Sequence, residues 1–122
     1  MSKILVTLFC FLLAPSALFA HHSSAMFDKD EVREVTATIA EFQWTNPHVW
    51  IEILVKNEEG MEAAWSIEGL GPNGLARNGW RPNSFKPGDV VEIRFNPMRD
   101  GSNAGGFIGA KFADGKILGN WN

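Results

Sequence analysis

Hydrophobic and polar positions alternate with a period of two in several short runs, the pattern of strands with one buried face. The cleanest run spans residues 48–56. Val49, Ile51, Ile53 and Val55 fall on one face, and His48, Trp50, Glu52 and Leu54 on the other. Residues 34–44 predict an earlier strand. Val35, Ala37 and Ile39 share its face until the phase slips by one and Phe42 and Trp44 take over, the mark of a bulge or sharp coil. Between the two, Asn46-Pro47 breaks the chain, because proline lacks an amide donor and pushes the preceding residue toward extended backbone. A third strand follows the hairpin loop Asn57-Glu58-Glu59-Gly60, with Met61, Ala63, Trp65 and Ile67 on one face.

The alternation then stops. Residues 69–79 predict one or two helical turns, opened by Gly71-Pro72 and closed by Gly79. Lys86-Pro87-Gly88-Asp89 predicts a type II turn. Val91, Ile93 and Phe95 alternate in a fourth strand, and residues 99–106 read as a Gly- and Asn-rich loop. A fifth strand is expected at residues 107–113. Asp114-Gly115 then signals a two-residue hairpin, folding residues 116–118 back on it. Three strands, one short helix and two strands make a mainly β protein. Their order fits the five-stranded Greek-key barrel of the OB type, with the helix between strands 3 and 4. A small β-sandwich or meander with a helical plug is the competing architecture.

The first residues change the picture of where the protein works. Lys3, the apolar run 4–13, the break at Pro15-Ser16 and the small Ala20 read as a secretory signal peptide over residues 1–20. The run is too short for a membrane-spanning helix, which needs about 20 apolar residues. Cys10 sits behind Phe9, not a small residue, which argues against a lipid anchor. Trimming after Ala20 leaves an N-terminal arm, 21–33, and a barrel domain, 34–122. The expected product is a single periplasmic domain, monomeric and free of the membrane. It has lost its one cysteine, so burial and not a disulfide must hold it together. It also loses Lys3, leaving ten basic side chains against fourteen acidic ones. That balance argues against nucleic acid, whose binding rests on clustered Lys and Arg.

Candidate chemistry is sparse. His48 is the only histidine beyond the arm, no serine is tied to it by spacing, and the trimmed chain carries no thiol. No catalytic set emerges, and binding is the expected activity. Export would make His21 the N-terminus. Its α-amine has a pKa near ~7.7–8.0, and with its own Nδ1 it can chelate Cu(II), which favours nitrogen ligands in planar geometry. A third nitrogen from His22 or His48 would complete the site; the competing view makes the arm histidines a solvated tail. Met26 and Met98 are possible soft ligands for Cu(I), although a lone Met more often packs. The rival function is metal-free recognition of a protein, glycan or small ligand. It would use an aromatic face with Trp44, Asn46, Trp50, Trp80 and Arg94 near His48. Cleavage after Ala25 would delete the arm histidines and the copper site with them.

Several pieces occur together: His21-His22-Ser23, Trp44-Thr45-Asn46-Pro47-His48, and Gly71-Pro72-Asn73 with Leu75, Arg77, Gly79 and Trp80. Lys86-Pro87-Gly88-Asp89 and Asp100-Gly101-Ser102 complete the set. In this combination the chain resembles a family of small secreted bacterial proteins catalogued as domain of unknown function 6152. The resemblance implies a periplasmic, mainly β domain and favours the cut after Ala20; it implies no catalytic residues. The chain departs from the pattern at Asn96-Pro97-Met98 and Gly105-Gly106, which leaves the length of the fifth strand open.

Overall fold

A computed structural model describes residues 24–122; residues 1–20, expected to be a signal peptide, and His21 and His22 lie outside the described residues. After a 3-10 turn (Ser24–Met26) come β1 (Arg33–Gln43), β2 (Trp50–Lys56), β3 (Glu62–Glu68), α1 (Pro72–Arg77), β4 (Val90–Pro97), β5 (Ala104–Phe112) and β6 (Ile117–Gly119). Strand β1 lies between β2 and β4, and β3 and β5 extend the sheet on either side, all in antiparallel pairs. A parallel pairing of β3 with β5 then closes the ring. This is the OB-like Greek-key barrel with its helix between β3 and β4, plus one short extra strand, β6, on the edge of β5.

The inward faces follow the alternation. Val49, Ile51, Ile53, Ile67, Ile93 and Phe95 are fully enclosed, each such side chain contributing roughly 1.5–3 kcal/mol over its exposed state. The phase slip in β1 is a bulge. Ile39 pairs with Ile53 and Glu41 with Glu52, so Ala40 is the extra residue and Phe42 turns inward. Gly88 takes the predicted positive φ of 90°, and the Asp89 amide bonds to the Lys86 carbonyl at 3.0 Å.

Three of the boundary differences have a visible cause. Strand β2 starts at Trp50, not His48, because Val49 bonds instead to the connection after β3. The last hairpin has three loop residues, 113–115: the Phe112 amide bonds to the Lys116 carbonyl, with Gly115 at positive φ. Strand β5 starts at Ala104, so Gly105 and Gly106 belong to it and not to a loop. Barrel closure explains this. Ile67 and Glu68 pair with Gly105 and Gly106, and a Cβ at Gly105 would run into the Phe95 ring and stand 2.7 Å from the Asn96 carbonyl oxygen. Glycine there marks a close approach of β5 to β4, not flexibility.

Candidate functional site

The site begins with the turn before β2. The Asn46-Pro47 peptide is cis, and the Thr45 hydroxyl donates to the His48 carbonyl at 2.9 Å. On the facing segment, the Gly69 amide donates to the Val49 carbonyl at 2.9 Å and the Val49 amide to Leu70 at 3.1 Å. Two glycines allow this contact. A Cβ on Gly69 would stand 2.6 Å from Val49 Cγ2, and one on Gly71 would stand 2.8 Å from the Pro47 carbonyl oxygen.

The two segments bring His48 against Glu68. The imidazole Nδ1 stands 2.5 Å from Glu68 Oε1, in ion-pair contact. Glu68 is only 7% exposed and is the one buried charged side chain among the described residues. Its second oxygen, Oε2, is buried and has no hydrogen-bond partner among them. Trp50 stands opposite Glu68 in the β2–β3 ladder, and Gly106 opposite it in the closing pair. Because Nδ1 is committed to the carboxylate, Nε2 of His48 is the nitrogen left for a ligand.

Beside this pair lies a cleft of about 630 Å³. It forms where β5 changes partner. Gly105 and Gly106 pair with β3, while Gly109 to Lys111 pair with β6. Between them Ile108 is bulged out of the β4 register, since Arg94 pairs with Gly109 and Phe95 with Phe107. Leu75, Trp80, Phe107 and Leu118 form the apolar wall, and Leu70 and Ile117 stand exposed at the rim.

The arm reaches the same cleft, through Ser24 and Phe27. It is pinned to the end of β4: Phe27 bridges Met98, the Asp28 amide donates to Pro97 at 2.8 Å, and the Arg99 amide donates to Met26 at 2.9 Å. The Phe27 ring covers Gly106 so closely that a Cβ there would meet it at 3.0 Å.

The expected site residues are distributed unevenly. His48 and Trp80 line the cleft, and Trp50 neighbours Glu68. Trp80 is 3% exposed and part of an aromatic cluster, edge-on to Phe107 at 5.2 Å. Trp44 packs edge-on to Phe42 at 5.8 Å, Asn46 is exposed in the cis-proline turn, and neither lines the cleft. Arg94 lies elsewhere, bonded to Glu34 at 2.7 Å and to the Trp121 carbonyl, with its guanidinium 4.2 Å above the Trp121 ring. His21 and His22 lie outside the described residues, and among the described residues no group of three or more His, Cys, Asp or Glu side chains is placed to hold a metal ion.

Sequence reasoning missed Glu68. It placed Glu52 beside His48, but Glu52 instead accepts the Ser66 hydroxyl at 2.6 Å. The signal was present: the Asn57–Gly60 loop fixes the β2–β3 register, which makes Glu68 the diagonal neighbour of His48.

No curated protein and no solved structure matches the chain. A family model, described as a family of unknown function (DUF6152), matches residues 10–107, most of the length. The chain therefore belongs to that family, with a small β-barrel as its fold.

Proposed function

We propose that the protein is an exported, periplasmic binding protein whose cargo is Cu(II), held by His21 and His48 with His22 in reserve. The observation that carries this reading is the entry of the arm into the His48 cleft, with Ser24 among its lining residues. His21 is three residues upstream of Ser24. At about 3.3–3.6 Å per extended residue, three residues reach at most about 10 Å, so an N-terminal His21 starts within that distance of a residue lining the cleft that His48 also lines. The donor set also fits. A ligating histidine commonly gives its other nitrogen to a carboxylate, which fixes the tautomer and raises ligand basicity. Glu68, with Oε1 2.5 Å from His48 Nδ1, is the carboxylate available for this part. Copper bound there would sit among nitrogen ligands suited to its divalent state.

Mass spectrometry of the exported chain tests the first condition, a mature start at His21. Titration should then find one tight Cu(II) equivalent, with nitrogen hyperfine structure in its EPR spectrum. His21→Ala and His48→Ala should each weaken binding by at least about tenfold. A mature start after Ala25, or tight binding unchanged by His48→Ala, refutes the copper reading. In that case the metal-free recognition role is the one to pursue.

A further inference from the structure

The cleft is larger than one metal ion needs, and its lining has a consistent chemical bias. We propose that it is also a chamber for a small cationic amphiphile, an aromatic or aliphatic amine, bound independently of any metal. Its volume of about 630 Å³ falls in the range of small-ligand pockets, roughly 300–1,000 Å³. Leu75, Trp80, Phe107 and Leu118 form an apolar wall, and Ser24, Asn78 and Asn96 are polar neighbours in the lining. Leu70 and Ile117, 64% and 48% exposed, carry apolar surface to the rim. Isolated exposed side chains are ordinary, but two flanking the mouth of an apolar cleft extend its contact surface.

Charge sets the class of head group. Among the described residues no lysine or arginine lines the cleft, and its one imidazole, His48, is already set against Glu68. The one acidic group is Glu68, whose Oε2 is buried and accepts no hydrogen bond among the described residues. A buried carboxylate oxygen without a donor is costly, and a ligand supplying an N–H removes that cost. An ammonium group does so with charge assistance, in surroundings where water screens poorly. The hydrocarbon part then lies against Trp80, Phe107 and Leu118.

Three probes sharing one ring system isolate the head group: 1-naphthylmethylamine, 1-naphthalenemethanol and 1-naphthoate. Each is titrated into the exported chain at pH 7.5 in excess EDTA, followed by amide shifts in two-dimensional NMR. The amine should bind at least about tenfold tighter than the carboxylate, with the alcohol between them. Shifts should centre on Gly69, Gly106, Ile108 and Gly119. Glu68→Gln should remove most of the amine's advantage. Leu70→Lys, at an exposed position that leaves the core intact, should weaken the amine and favour the carboxylate. Equal binding of amine and carboxylate, shifts centred elsewhere, or an advantage untouched by both variants overturns the proposal. Because EDTA is present throughout, failure here is separate from failure of the copper reading.

Discussion

Replacing Gly105 by alanine tests whether β5 lies as tightly against β4 as the geometry indicates. The added methyl would collide with the Phe95 ring and stand 2.7 Å from the Asn96 carbonyl oxygen. Neither can retreat easily. Phe95 is 1% exposed and packs on Trp65 at 5.5 Å between centroids, and Asn96 pairs with Gly106 in the β4–β5 ladder. Overpacking of this kind costs typically ~1–3 kcal/mol, and a clash shared by a fixed ring and a backbone oxygen belongs at the upper end, about 3 kcal/mol. In a domain of this size each kcal/mol moves the melting temperature by about 4–8 °C, so Gly105→Ala should melt at least about 12 °C lower. Gly74→Ala is the internal control. It adds the same methyl in α1, where nothing lies within 4 Å, and helix propensity should make it neutral or stabilising by up to about 1 kcal/mol. Urea and thermal melts of both variants, followed by far-UV circular dichroism, give the comparison. A Gly105→Ala protein within about 0.5 kcal/mol of the parent, the usual scatter of surface changes, would show that the β4–β5 contact at Gly105 is loose and the reasoning wrong.

Glu68→Gln keeps an acceptor for His48 Nδ1 but removes the charge. On the proposed copper site it should weaken Cu(II) by about 10- to 100-fold, the usual effect of losing a carboxylate behind a ligating histidine, as read by competition titration. Arg94→Ala removes the Glu34 ion pair and the Trp121 contact on a partly exposed wall. It should cost about 1 kcal/mol in urea melts and leave ligand binding unchanged. The Asp100 carboxyl is held below its ordinary value of 3.8, mainly by the Ser102 hydroxyl and then by the Ser102 amide. A depressed folded-state pKa means that this contact is present above pH 3.8 and is lost as pH falls through the lower folded value. Ser102→Ala should raise the Asp100 midpoint toward 3.8 in an NMR titration; an unmoved midpoint would assign the shift to another group.

Barrel order, helix position and the β1 bulge were legible because each has a local signature: period-two alternation, Gly-Pro at a helix start, and a phase slip at Ala40. The extent of β5 was not. Gly105 and Gly106 carry the composition of a loop, and pairings with Pro97 and Asn96 of β4 and with β3, about forty residues away, make them strand. The burial of Glu68 was hidden for the same reason. Its own strand alternates it outward, while His48 and the pairings to Trp50 and Gly106 enclose it. The three-partner surroundings of Arg94 depend on Glu34 and on the last residues of the chain, so its local sequence suggests a free cation that the fold does not provide.

The anchoring of Phe27 and Asp28 against the end of β4 has a practical side for anyone producing the protein. Ser24 lines the cleft, so an affinity handle or cloning scar joined just upstream would start beside that space and compete for it. Histidine tags are the worst choice there, since they would imitate the very ligands under test.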